Sequence, residues 1–137
     1  MRLGLIGLGR IGTFHTNTLV GIPAIDSLVV TDLVPEKTKT VVERFGAQGV
    51  EGADSLDEVL GSGVDGVIIA AGTDAHTKLI LTCVEAGLPT LCEKPVGSNG
   101  AEGADLLRRP ALQHLPIDHY RDHVGQREHR IHIVLDQ

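Results

Sequence analysis

The sequence predicts an α/β protein in which a parallel β-sheet is doubly wound by α-helices, giving three layers in the order helix, sheet, helix. Short aliphatic segments alternate with segments of helical pattern over most of the chain, which is typical of this class. Hydrophobic residues make up 42% of the sequence and aromatic residues only 2%, so the core must come from aliphatic side chains, as in buried parallel strands. Glycine is abundant, with 17 residues, and glycines follow the first aliphatic segment.

The first elements are two strands and two helices. Arg2–Ile6 is an aliphatic strand that ends at glycines, and residues 11–20 form a helix. Ser27–Thr31 is a β-branched strand. The segment PEKTKTVVERF begins with a proline, which is favoured at the first helical position, and it ends before Gly46, a typical helix stop.

The following elements are shorter. We expect an extended segment at residues 47–50. Ser55 and Glu58 have capping-box spacing and predict a helix that ends at Gly61. DGVIIAA at residues 65–71 is a buried strand.

A last helix and strand complete the alternation. Thr73 or Asp74 caps a helix that runs to Gly87, and Thr90–Cys92 is the next strand. This alternation of strands and helices predicts an open parallel sheet whose strands are joined by right-handed crossovers.

Composition excludes several classes of protein. The net charge is −6, with 18 acidic and 12 basic residues, which argues against nucleic-acid binding. No apolar run approaches the roughly 18 residues of a membrane span, and the first residues do not form a signal peptide, so a cytoplasmic protein is expected. Cys83 and Cys92 lack the spacing of a zinc site or a disulfide framework and are expected to be buried thiols.

A G-x-G-x-x-G motif lies between the first strand and the first helix. Gly7 permits a tight turn, Gly9 lets a pyrophosphate approach the backbone, and Gly12 lets the helix pack on the strand. The helix N-terminus, with Arg10 and Ile11, directs N–H groups at the phosphates. The motif predicts a dinucleotide site; the alternative is an ordinary glycine-rich turn.

Asp32 ends the second strand, 20 residues after Gly12. A carboxylate there can accept both hydroxyls of an adenosine ribose and would repel a 2′-phosphate, which favours NAD over NADP. No basic residue precedes Lys37 in this turn. The alternative is a solvated aspartate in a turn.

Two further clusters follow strand ends, where ligands bind in doubly wound sheets. Ala71 leaves room for a cofactor that Thr73 or His76 could contact; the alternative is a helix cap and a surface histidine. After the last strand come Glu93 and Lys94, and the ammonium could stabilise the oxyanion that develops during hydride transfer. The alternative for Lys94 is a surface lysine.

Together these motifs resemble the Gfo/Idh/MocA family, the glucose–fructose oxidoreductases and inositol dehydrogenases, over residues 1–109. The resemblance depends on GLGRIG with His15 downstream, on Asp32, on GTDAH and above all on EAGLPTLCEKPVGSN. It implies a Rossmann domain that binds NAD(P), with Lys94 contacting a sugar or polyol substrate and the nicotinamide, and Glu93 beside it. The family usually has T-P-x-x-x-H where this chain has GTDAH, which lacks the proline.

The resemblance also implies a second, substrate-binding domain, and nothing after Arg109 resembles one. Residues 118–130 are mostly charged or polar, and five of the seven histidines lie in the last 24 residues, so we expect residues 110–137 to be a poorly packed tail or a truncated or frameshifted end. His119 and His123 have no convincing third ligand, so no metal site is expected. The chain alone is expected to be inactive, and a homo-oligomer is one possible assembly.

Two other functions compete with a dehydrogenase. One is a non-catalytic, stand-alone dinucleotide-binding module. The other is a methyltransferase that uses S-adenosylmethionine, which the E-K-P segment and the full glycine motif disfavour.

Overall fold

The computed structural model describes residues 1–97, 105, 106, 108, 117–119 and 131–133. The chain divides into two compact units, residues 1–71 and 72–137, each of which is described by itself. The elements of the first unit are β1 (Arg2–Ile6), α1 (Arg10–Leu19), β2 (Ser27–Thr31), α2 (Pro35–Phe45), a 3₁₀ turn (Gly46–Gln48), β3 (Val50–Gly52), α3 (Leu56–Gly61) and β4 (Gly66–Ile69). Those of the second unit are α4 (Thr73–Glu85), β5 (Thr90–Cys92), β6 (Ile117–His119) and β7 (Ile131–Ile133).

The first unit contains a parallel sheet with the strand order β3-β2-β1-β4. The chain moves outward from β1 to β3 and then returns to the other side of β1, where Gly4 pairs with Val29 of β2 and Val67 of β4. Because parallel crossovers are right-handed, this reversal places α1 and α2 on one face of the sheet and α3 on the other. The predicted doubly wound arrangement is confirmed.

The core of the first unit is aliphatic, as the composition predicts. Leu5, Leu28, Val30, Val59 and Ile69 all have relative exposures of 1% or less. Burial of such a side chain contributes about 1.5–3 kcal/mol, so these contacts between strands and α3 fix the unit that carries the glycine motif.

A polar cluster at the end of the sheet where β1 begins, opposite the glycine motif, joins three strands. The Arg2 guanidinium donates to both carboxylate oxygens of Glu51, at 3.1 and 2.9 Å, and to the Ser27 hydroxyl at 3.1 Å. The Arg2 backbone N–H donates to Asp65 at 2.7 Å. Because Arg2 is in β1, Ser27 in β2 and Glu51 in β3, the cluster holds the strands in register.

The Arg2–Glu51 pair predicts an acid-dependent loss of stability. The guanidinium hydrogen bond, and then its charge, holds the pKa of Glu51 below its usual range. A carboxyl group whose pKa is lower in the folded than in the unfolded state stabilises the fold above its unfolded pKa, and this contribution is lost as the pH falls through the folded value. Glu51 is 60% exposed, so we expect less than about 1 kcal/mol. Urea unfolding of wild type and Glu51→Gln should differ at pH 7, and the difference should shrink as the pH is lowered; a difference that stays the same at acid pH would contradict the charged pair.

The second unit contains α4 and three short parallel strands in the order β5-β7-β6. Helix α4 buries His76, Ile80 and Cys83 on one face. Burial raises the pKa of the Cys83 thiol to about 11 and that of Cys92 to about 12. The two thiols are therefore protonated at neutral pH, as expected for buried cysteines.

The bounds of α1, β4 and α4 differ from the predicted ones by one or two residues, and three further predictions differ from the structure. The extended segment predicted at residues 47–50 is instead a 3₁₀ turn followed by Gly49 at φ +84°, so β3 starts later. The residue that precedes α4 is Gly72, so neither Thr73 nor Asp74 is the N-cap. The sequence assigned no element to residues 110–137, and β6 and β7 lie there, because strands of three residues are too short to show a periodic pattern.

Other expectations for the end of the chain lie outside the described residues. These include most of the polar segment, with His123, and the boundary at residue 109 stays a prediction. Within the part of the chain that the structure describes, no helix has both the length and the apolar character of a membrane span.

Candidate functional site

The glycine-rich turn joins β1 to α1, and its glycines have different surroundings. Gly7 adopts φ +92° and donates its N–H to the Thr31 carbonyl at 2.9 Å. A Cβ on Gly7 would lie 2.6 Å from backbone atoms of Ala71, and a Cβ on Gly12 would lie 1.8 Å from the Gly7 carbonyl oxygen. A Cβ on Gly9 would meet nothing within 4 Å. Two of the glycines are therefore required by packing, whereas Gly9 faces open space.

Helix α1 begins at this open space. Gly9 is its N-cap and provides no side chain to accept from the first turn. The first N–H groups of a helix have no acceptor within the helix, so those of Arg10 and Ile11 can serve an external anion. The side chains of Arg10 and Ile11 are exposed. These donors and the empty space above Gly9 fit the pyrophosphate of a dinucleotide.

The Asp32 side chain is hydrogen-bonded to the same turn. One carboxylate oxygen accepts the Leu8 N–H at 2.7 Å, and the other accepts the Val34 N–H at 2.9 Å and lies 3.7 Å from the Lys37 Nζ. The side chain is 10% exposed. A carboxylate offers about four acceptor positions, so these two backbone donors leave capacity for the two hydroxyls of a ribose. The sequence predicts a ribose acceptor here but not the bond from Asp32 to Leu8.

A cavity between α1 and α2, which we call the α1–α2 groove, lies beside Asp32. It has a volume of about 230 Å³, and its lining includes Leu8, Thr13, Lys37, Val41 and Arg44. Two of these lining residues also contact Asp32: Leu8 through its backbone N–H and Lys37 through its ammonium. The sequence gives no sign of this groove, because its walls come from two helices that are separated in the chain.

The remaining predicted site residues lie in or next to the second unit. Ala71, half-buried, ends the first unit at the glycine turn. Thr73 begins α4 and is half-buried, while the ring of His76 is buried and its Nδ1 lies 2.8 Å from the Pro95 carbonyl oxygen. His76 is thus not a surface histidine. Lys94 is exposed.

The strand end that carries Lys94 is held by its neighbours. Glu93 is half-buried, and its carbonyl accepts from the Cys92 Sγ at 3.4 Å. Within each unit the structure therefore brings predicted site residues together: the glycine turn with Asp32 and Ala71 in one, and His76 with the E-K-P segment in the other. The predicted roles of these residues toward a ligand stay predictions.

Comparison with known proteins gives a consistent result. The sequence model of the Gfo/Idh/MocA oxidoreductases, described as having an NAD-binding Rossmann fold, matches residues 1–115. Inositol 2-dehydrogenase 1 of Saccharopolyspora erythraea is 37% identical over 109 residues, covering 79% of this chain and 32% of that protein. A Gfo/Idh/MocA oxidoreductase from Vibrio cholerae has a TM-score of 0.72 at 28% identity, over 82% of this chain and 35% of that one.

One similar structure contains a cofactor. The WlbA dehydrogenase from Chromobacterium violaceum, in complex with NADH and UDP-GlcNAcA, has a TM-score of 0.68 at 30% identity, over 78% of this chain and 31% of that one. The chain spans about a third of the length of the curated relatives that it matches.

Proposed function

The chain belongs to the Gfo/Idh/MocA family of oxidoreductases, and on that premise we propose that it binds NAD for hydride transfer with a hydroxyl of a sugar or polyol. The observation that carries the proposal is the turn at Gly9, which combines open space, the N–H groups of α1 and the Asp32 carboxylate. NAD, when bound, supplies the hydride acceptor. The protein supplies the groups that bind and orient it.

We assign each part of the turn to one part of the dinucleotide. The pyrophosphate passes over Gly9 and accepts from the N–H groups at the start of α1, where the helix dipole favours a negative charge. The adenosine ribose donates to Asp32, which the Leu8 N–H already holds in place. Gly7 and Gly12 keep the turn close to the sheet.

In this proposal Lys94 contacts both the nicotinamide and the reacting hydroxyl, as the resemblance to the family implies. Its exposed ammonium donates a hydrogen bond to the substrate oxygen and stabilises the negative charge that develops there. The substrate carbon would give its hydride to the nicotinamide, and the hydroxyl proton would pass to solvent water. Polyols are the proposed substrate class because proteins similar to this chain are named inositol 2-dehydrogenases. Because the chain alone is expected to be inactive, binding tests this class: saturation-transfer NMR should show that myo-inositol or glucose binds the NADH complex. Equal binding of these polyols by Lys94→Ala would remove the lysine from the site.

Asp32 gives the sharpest test of cofactor binding. Wild type should bind NAD at least about tenfold more tightly than NADP, since the carboxylate repels a 2′-phosphate. We expect Asp32→Ala to reduce the preference for NAD over NADP and Asp32→Arg to reverse it. Calorimetric titration with both nucleotides measures the two affinities. Asp32→Ala also leaves the Leu8 N–H without its acceptor and should cost about 1–3 kcal/mol of stability.

Asp57→Ala is the matched control. Asp57 is an exposed acidic residue in the first turn of α3, so its removal changes the net charge equally without touching the turn. It should leave the ratio of NAD to NADP affinity unchanged. Equal affinities of the wild-type chain for the two nucleotides would show that Asp32 does not contact the ribose.

A further inference from the structure

The first turn of α4 contains a buried imidazole that the proposed reaction does not use. His76 is 1% exposed, and its Nδ1 lies 2.8 Å from the carbonyl oxygen of Pro95. A carbonyl oxygen can only accept, so Nδ1 carries the hydrogen of this bond. The bond is partly buried and Pro95 is exposed, so loss of the donor would release the Pro95 carbonyl from α4. His76 therefore connects α4 to the segment that follows β5.

That segment exposes Lys94 between two anchored residues. Cys92 and Val96 are 1% and 4% exposed, whereas Lys94 and Pro95 between them are exposed. Because the Lys94 side chain is exposed, the position of its ammonium depends on the path of the backbone that carries it. Cys92 fixes this path before Lys94, and Val96 together with the bonded Pro95 carbonyl fixes it afterwards.

We propose that His76 is a positioning residue for Lys94 and acts through the Pro95 carbonyl. The inference rests on the proposed function, in which Lys94 contacts the nicotinamide cofactor and the substrate. Alignment of reacting groups is sensitive to displacement: a shift of about 1 Å can cost roughly 100-fold in rate. His76 then acts through the backbone of the E-K-P segment and not by direct contact with the cofactor.

The test compares variants that keep or remove the Nδ1 donor. Asparagine places its amide N–H₂ where Nδ1 lies, whereas phenylalanine keeps a ring and has no donor. NADH affinity, followed by its fluorescence, should be close to wild type in His76→Asn and about tenfold weaker in both His76→Phe and Lys94→Ala, as for loss of a hydrogen bond to a charged group. The double variant His76→Phe/Lys94→Ala should be no weaker than Lys94→Ala alone, because both changes remove one interaction.

Ile80→Val controls for a purely structural effect. Ile80 is fully buried on the same helix face, so its truncation should lower the melting temperature without changing NADH affinity. Wild-type NADH affinity in His76→Phe, or losses that multiply in the double variant, would overturn the inference while leaving the NAD site intact. Absence of NADH binding by the unaltered chain would instead overturn the proposed function and this inference with it.

A measurement on the unaltered protein covers the case in which His76→Phe does not fold. Nitrogen-15 NMR of the imidazole distinguishes a protonated from an unprotonated Nδ1. We expect His76 to carry hydrogen on Nδ1 both without and with NADH. An unprotonated Nδ1 would overturn the inference, because the Pro95 carbonyl would then have no donor from this ring.

Discussion

Gly12→Ala is expected to abolish NAD binding and to destabilise the first unit by about 3 kcal/mol or more, at the upper end of the costs of overpacking. The added Cβ would lie 1.8 Å from the Gly7 carbonyl oxygen and 2.8 Å from its carbon, and these are backbone atoms that cannot rotate away. Relief requires α1 to move from the turn, which displaces the N–H groups that we assign to the pyrophosphate. Urea unfolding and calorimetric titration with NAD measure the two effects.

Gly61→Ala provides the control for a glycine at a helical position. Gly61 is the last residue of α3, and a Cβ there would meet nothing within 4 Å. The substitution should leave NAD affinity unchanged and should be neutral or stabilising by up to about 1 kcal/mol. Wild-type stability in Gly12→Ala would contradict the close packing of α1 on the turn.

Gly9→Ala is expected to weaken NAD binding by about 100-fold while leaving stability unchanged within about 0.5 kcal/mol. A Cβ at Gly9 meets no protein atom within 4 Å, and the backbone angles of φ −69° and ψ −163° are open to alanine. The methyl group would instead occupy the space that we assign to the pyrophosphate. Calorimetric titration gives the affinity, and thermal unfolding gives the stability.

The contrast between Gly9 and Gly12 separates binding from folding. Both residues belong to one motif, but only one of them is required by the protein's own packing. If Gly9→Ala binds NAD as tightly as wild type, the pyrophosphate does not pass over this residue. Unfolding of Gly9→Ala would contradict the open space at this position.

Much of the fold could be predicted from local signals. β1, β2, β5 and α2 have the predicted bounds, because aliphatic runs, a leading proline and a following glycine mark their ends. The Ser55 hydroxyl accepts the Glu58 N–H at 3.2 Å, as the capping-box spacing predicts. β3 begins later than the predicted extended segment because Gly49, at φ +84°, interrupts the chain just before it. The sequence does not show which of several glycines adopts this conformation.

The candidate site was predicted less completely. The glycine motif and Asp32 have recognisable spacings, and the structure joins them. The bonds from Leu8 to Asp32 and from His76 to Pro95 connect residues 24 and 19 positions apart. Such pairs depend on how strands and helices pack in three dimensions, and no spacing rule identifies them. The buried state of His76 was missed for the same reason, since a histidine in a first helical turn is compatible with either surface or core.

Amide chemical-shift mapping of the ¹⁵N-labelled chain during titration with NAD tests the central claim most directly. We predict saturable shifts that are largest at the turn from Leu8 to Ile11 and at Asp32, the residues that we assign to the pyrophosphate and the ribose. Shifts that are instead largest in the α1–α2 groove, at Thr13, Val41 and Arg44, would place the nucleotide elsewhere. No saturable shift at all would contradict NAD binding by this chain.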